Sequence, residues 1–206
     1  MLSLLCTSTT SDWKMIEDFK FVPMWEVPIL RCTVNLPHAK IEKYLREKFA
    51  EWGEDYTSYH DVKFNEHLQK YLPAKTQMES AMVTAARTFI NNRGGYDTED
   101  ILHYWFSIYN TGDDHNVHTH PGSVVAGTYY PYSDENSTKI RYFNPYRVAM
   151  MHGEPRIDPK NAMHDHHATT GEMNLWPAWL EHEVRPQKPV DSSEARIAIS
   201  FNYGRP

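Results

Sequence analysis

The chain has 206 residues, 40% of them hydrophobic, and a net charge of −6, enough for one domain with its own core and no staples. Without a basic block, neither nucleic acid nor an anionic membrane is a favoured partner. No apolar run is long enough to cross a bilayer, the start lacks a signal peptide's features, and Cys6 and Cys32 are too few for a disulfide framework or thiolate metal site, so a soluble cytoplasmic protein is expected.

The first dozen residues are polar and read as loose, and Phe21 to Leu30 has the composition of an irregular or edge strand, with Pro23 and Pro28. From His38 to Trp52, Ile41, Leu45, Phe49 and Trp52 recur at intervals of three and four, which predicts an amphipathic helix after Pro37. Tyr56 to Leu72 shows no decisive period. Thr76 to Asn91 predicts a second helix, with Met78, Met82, Ala85 and Phe89 as its buried stripe and Gly94-Gly95 as its stop.

After Asp100 the pattern turns to short strands: Ile101–Tyr109, then a turn at Asn110 to Asp114, then Val117–His120, Val124–Tyr132, Lys139–Phe143, Glu172–Trp176, Glu183–Arg185 and Ala195–Tyr203. Some seven strands without intervening helices predict an antiparallel sandwich or jelly roll, mainly β with N-terminal helices covering one sheet. One domain spans 1–206: supporting strand and helices over 1–100, β core over 101–206. Residues 149–170 lack periodicity and read as a long functional loop, within which His164-Asp165-His166-His167 is expected to be solvated.

Twelve histidines are present, nine of them from His103 to His182, which draws attention to that region. In His118-Thr119-His120, spacing two on a strand puts both imidazoles on one face. His182, brought in from a distant strand, would complete a three-ligand face with open positions, as catalytic metals need. On the last strand, Ile197, Ile199 and Phe201 share one face. Arg196, Ala198, Ser200 and Asn202 share the other, where a guanidinium beside small residues suits a small anion's carboxylate.

Asn116-Val117-His118-Thr119-His120-Pro121, Ala126-Gly127-Thr128-Tyr129-Tyr130, Trp176 to Val184 and Arg196 to Asn202 together, in order and spacing, resemble the iron(II)- and 2-oxoglutarate-dependent oxygenases, in particular a bacterial and phage branch. The resemblance covers about residues 101 to 206 and implies a double-stranded β-helix, cupin-like, with Fe(II), 2-oxoglutarate as co-substrate and O2. It implies His118, His120 and His182 as metal ligands and Arg196 as the grip on the distal carboxylate. Ser200 and Tyr129 or Tyr130 would assist, and Asn116 would orient the ligand loop. His120 stands where most of the superfamily has a carboxylate; Asp113, Asp114 and Asp165 are the candidates to supply one.

The activity implied is oxidation, most simply hydroxylation, of a peptide or protein side chain, prolyl among them, or of a metabolite, with release of succinate and CO2. The alternatives are a cupin-like metalloenzyme that needs no 2-oxoglutarate and a non-enzymatic jelly-roll binding module.

Overall fold

The structure, a computed structural model, describes residues 27–53, 57–95, 98–147 and 162–205. In chain order its elements are β1 (Leu30–Thr33), α1 (His38–Trp52), α2 (Val62–Tyr71), α3 (Lys75–Asn91), β2 (Leu102–Tyr109), β3 (His115–His118), β4 (Val125–Tyr132), β5 (Ile140–Phe143), β6 (Met163–His166), β7 (Glu172–Pro177), β8 (His182–Val184) and β9 (Arg196–Tyr203). Both expected helices and seven expected strands are present, with ends shifted by one or two residues. Among the described residues no helix is long and apolar enough to cross a membrane.

Two expectations need correction. The first strand lies at Leu30–Thr33 rather than ending at Leu30; residues 21–26 of the expected stretch lie outside the described residues. The irregular stretch contains β6, which pairs with β5 so that Asp165 faces Arg141 and His166 faces Ile140. His166 is buried, its Nδ1 accepts from the Arg31 guanidinium and its Nε2–H donates to the Glu172 carboxylate, so it is no part of a solvated loop. The segment without a clear period contains α2, whose N-cap Asp61 accepts the Phe64 N–H at 2.9 Å; with Phe64 and Leu68 as its only buried residues, it is too short to show a period.

The strands form two antiparallel sheets, β1-β7-β4-β9-β2 and β3-β8-β5-β6. Alternation along each strand divides labour between the two faces of the larger sheet. Its outer face, with Tyr129, Met173, Leu175, Ile197, Ile199 and Phe201, packs under Ile41, Leu45 and Phe49 of α1 and the Met78, Met82 and Phe89 stripe of α3. Each such fully buried side chain contributes roughly 1.5–3 kcal/mol. Its inner face looks towards the smaller sheet, and side chains of both line one pocket. The helices therefore brace the outer face and leave the inner one to hold polar groups.

Gly127 on β4 shows how tight the outer face is. A Cβ there would run into the Phe201 ring and lie 2.9 Å from the Asn174 carbonyl oxygen. Gly127→Ala is expected to lower stability by about 1–3 kcal/mol through overpacking, read as a lower urea midpoint with an unchanged slope.

Candidate metal centre

β3 and β8 pair so that His118 lies directly opposite His182, which brings together two residues far apart in the chain. β3 carries an irregularity between His115 and His118: three steps on β3 span two on β8, since His115 faces Val184. A bulge of this kind re-aims side chains. Here it stacks the His115 ring on that of His118, centroids 4.0 Å apart and planes 16° from parallel. His120 falls past the end of β3, where its N–H donates to the Ala178 carbonyl at 2.8 Å. The strand reading of His118-Thr119-His120 therefore holds for His118 only, and a turn delivers His120 to the same place.

The ring nitrogens of His118, His120 and His182 all lie within 4.8 Å of one another, and among the described residues this is the converging ligand set. His182 Nδ1 bonds the Leu180 carbonyl at 2.8 Å and His118 Nδ1 bonds that of Asn116 at 2.7 Å. A carbonyl can only accept, so both Nδ1 atoms carry the proton and both Nε2 atoms present a lone pair. His120 Nε2 points at His182 Nε2 across 3.2 Å. With nitrogen–metal bonds of about 2.0–2.1 Å, two nitrogens at tetrahedral or octahedral angles lie about 2.9–3.4 Å apart, the spacing His120 and His182 already have. The donor set fits a divalent transition metal.

Burial and mutual repulsion keep these imidazoles neutral. His120 is pushed down to about 4, first by burial and then by its histidine neighbours. Burial lowers His118, and lowers His182 further. His115 is also brought down to about 4, by burial and the adjacent His118.

The three candidate carboxylates stay out of the cluster. Asp165, on β6, pairs with Arg141 at 2.5 and 2.9 Å, and that guanidinium lowers its pKa. Asp113 accepts the Asn110 N–H at 2.7 Å and closes the turn after β2. Asp114 acts electrostatically on His115 and lines the cleft outside.

Arg196 occupies the same pocket as the three histidines and is 1% exposed. Its Nη1 donates to the Thr138 carbonyl at 3.0 Å, and the guanidinium lies 4.1 Å from the Tyr109 ring centre and 5.6 Å from that of Tyr130. Its Nε is buried without a hydrogen-bond partner among the described residues, and the residues lining the pocket include no acid. Ser200 lines it too, its Oγ 3.3 Å from Thr128 Oγ1. Tyr130 is fully buried there, and burial pushes its hydroxyl up to about 12, so it keeps its proton.

Tyr129 is corrected out of the pocket. It points to the helical side, where its hydroxyl meets His38 Nδ1 at 2.6 Å. Alternation along β4, with Ala126, Thr128 and Tyr130 inward, decides between the two tyrosines. Asn116 orients His118 through its main-chain carbonyl rather than its side chain.

Sequence reasoning gave no role to His115, Thr128, Tyr109 or Trp105. Thr128 was accessible through its alternation with Tyr130, whereas a bulge that stacks two histidines at spacing three leaves no periodic trace. Trp105 stacks towards His120 at 6.0 Å, and Tyr59 meets Trp105 edge-on at 5.0 Å. With His60, Asp114 and Asn202 they line a cleft of about 490 Å³ that ends on His118 and His120.

Depressed histidine pKa values tie stability to pH. Between about 4 and the ordinary value near 6.5, the unfolded chain binds protons that folded His115 and His120 refuse. Their contribution is therefore complete above about 6.5 and is lost as pH falls towards 4. The metal-free protein should melt progressively lower over this window, and His115→Phe should flatten part of the slope in thermal melts taken across it.

Residues 103–202 match the model of the family described as "Putative 2OG-Fe(II) oxygenase". No curated protein matches the chain. Among solved structures, a Pseudomonas putida prolyl-4-hydroxylase shares 16% identity over 87% of this chain and 94% of its own, with a TM-score of 0.58. HygX from Streptomyces hygroscopicus, with iron bound, shares 12% over 87% and 83%, TM-score 0.55. A prolyl hydroxylase in complex with a hypoxia inducible factor peptide fragment, from Trichoplax adhaerens, shares 13% over 85% and 83%, TM-score 0.56. At such identities the likeness lies in the fold, the double-stranded β-helix.

Proposed function

We propose that the chain, whose residues 103–202 match the 2-oxoglutarate and Fe(II) oxygenase model, is such an oxygenase and hydroxylates a peptide or protein side chain, a prolyl ring being the first to test. The convergence of His118, His120 and His182 with buried Arg196 in a single pocket carries this reading. The three histidines would hold Fe(II), and Arg196 with Tyr130 and Ser200 would hold the far carboxylate of 2-oxoglutarate. The described residues then act as one oxygenase unit in which α1 and α3 brace the barrel core.

When bound, iron and 2-oxoglutarate supply oxidative decarboxylation to succinate and CO2 coupled to oxidation of the substrate by O2. The chain's own groups bind, orient and keep the site dry. The Asn116 and Leu180 carbonyls fix the ring orientations of His118 and His182. Arg196, held by Thr138 and flanked by Tyr109 and Tyr130, presents its orphaned Nε to an anion already aligned. Tyr130, kept protonated, is a donor to that anion.

The cleft over the histidines supports the substrate class. Its walls are aromatic, with Asp114 as the only carboxylate among the residues lining it. Tyr59 is 53% exposed, although its loop is pinned to β2: Ser58 N–H donates to the Phe106 carbonyl at 2.9 Å and Ser58 Oγ accepts the Phe106 N–H at 3.0 Å. A fixed, exposed aromatic face beside Trp105 suits a saturated ring or aliphatic side chain and disfavours an anion. The fold shared with prolyl hydroxylases adds weight to a peptide. The acidic balance and free Cys32 accord with action in the cytoplasm.

Anaerobic addition of Fe(II) and 2-oxoglutarate should produce the weak visible band of their chelate. It should vanish in His182→Ala and require at least tenfold more 2-oxoglutarate in Arg196→Ala, as expected for loss of a charge-assisted contact of about 1.5–3 kcal/mol. Iron binding without any band would favour the enzyme that needs no 2-oxoglutarate, and absence of metal binding the binding module. Tyr59→Ala should raise KM for a prolyl peptide about tenfold while the chelate band keeps its 2-oxoglutarate dependence.

A further inference from the structure

Resting on the reading of the pocket as the Fe(II) and 2-oxoglutarate site, we propose that this chain holds its metal conditionally: the dianionic co-substrate is the counter-ion of the site, and the metal is weakly held until it arrives. The observation is one of charge. All three converging ligands are imidazoles, neutral when they coordinate, so a divalent ion keeps its full double positive charge. The residues lining the pocket include no carboxylate, and they do include the buried guanidinium of Arg196, whose Nε has no partner among the described residues. Of the nearby candidates in sequence, Asp113 closes the turn after β2 and Asp165 pairs with Arg141, while Asp114 lines the adjoining cleft without joining the converging set.

A divalent ion entering this pocket therefore meets a like charge and gains no anionic ligand. Burying uncompensated charge is costly. A dicarboxylate changes both terms, because one end binds the ion and the other pairs with Arg196. Linkage then works in both directions, the co-substrate tightening the metal by the same factor as the metal tightens the co-substrate. Chelation alone gives some coupling in any such site. The part due to missing negative charge is the part that an aspartate at position 120 would remove.

Arg196 has a counter-intuitive role in this scheme. With co-substrate bound it strengthens the assembly; without co-substrate it repels the metal. Replacing it should therefore tighten metal binding in the absence of 2-oxoglutarate and loosen it in the presence of saturating 2-oxoglutarate. A purely structural arginine would shift both in the same direction.

Mn(II) is a suitable probe, because the electron paramagnetic resonance signal of the free ion counts what is unbound and needs no turnover. Titrations of the full chain with and without saturating 2-oxoglutarate should give dissociation constants that differ by on the order of 10- to 100-fold. In His120→Asp, Mn(II) alone should bind at least tenfold tighter than to the parent, and the coupling factor should shrink by a similar amount. In Arg196→Met, Mn(II) alone should bind more tightly than to the parent. Far-ultraviolet circular dichroism confirms that each variant is folded. If His120→Asp does not fold, the opposite-sign behaviour of Arg196→Met decides.

Tight Mn(II) binding by the parent without 2-oxoglutarate, or an undiminished coupling factor in folded His120→Asp, would overturn the proposal while leaving the oxygenase reading intact. Weaker Mn(II) binding by Arg196→Met in the absence of 2-oxoglutarate would do the same. Absence of Mn(II) binding under both conditions would overturn the metal assignment itself, and this inference with it.

Discussion

The register of one short strand pair is the constraint on which the site depends. β8 has three residues, yet its pairing with β3 sets His182 opposite His118, and the ligand set exists only in that alignment. A slip of one residue would turn His182 to the other face and leave its neighbours Glu181 or Glu183 in its place. The alignment is held from both sides. β5 pairs Tyr142 with His182 on the far side of β8, and the Leu180 carbonyl fixes the imidazole from within its own chain. Trp176 closes over the ring edge-on at 4.8 Å. Three residues of strand are enough because the neighbours on every side are themselves fixed.

β9 is the second constraint, and it links stability to chemistry in a single element. Its odd-numbered residues Ile197, Ile199 and Phe201 lie in the core beneath the helices, while Arg196, Ala198 and Ser200 face the pocket. Strand alternation makes the two inseparable. The core fixes the strand in depth and rotation, and Arg196 is thereby held at one end of the pocket while β3 and β8 hold the histidines in the same space. The small residues Ala198 and Ser200 line the pocket between them. Substitutions on the core face would therefore disturb the pocket without touching it, by shifting a strand whose other face carries Arg196.

Much of this was legible in the sequence because it rests on periodicity. The helices with Ile41, Leu45 and Phe49 and with Met78, Met82 and Phe89, and the two faces of β9, follow from spacing alone. The pairing of His118 with His182 does not, because strand register between distant segments leaves no local trace; order and spacing along the whole C-terminal half supplied it by resemblance. Three features escaped for specific physical reasons. β6 is a four-residue strand rich in histidine, a composition that reads as solvated until a partner strand is placed beside it. The bulge in β3 breaks the period on which sequence reading depends. The aromatic wall of Tyr59 and Trp105 joins a loop to a strand nearly fifty residues away through the Ser58–Phe106 hydrogen bonds, and no spacing rule connects them.

The inner face of the barrel is kept at an energetic disadvantage that the outer face offsets. Arg196 Nε, Trp176 Nε1 and the Tyr142 hydroxyl are all buried without hydrogen-bond partners among the described residues, and each such group costs about 1–3 kcal/mol. Neutral histidines packed against one another add to the same side, since their burial lowers the basicity of every one. Spread around a surface pocket these groups would simply be hydrated. Enclosed between two sheets they stay unsatisfied, and the enclosure survives because the apolar layer of α1, α3 and the outer sheet face is continuous behind it. A fold with one well-packed face can keep its other face poorly satisfied. In the pocket itself that imbalance has two signs: Arg196 Nε is a donor that an anion could satisfy, and the Nε2 lone pairs of His118 and His182 are acceptors that a cation could satisfy.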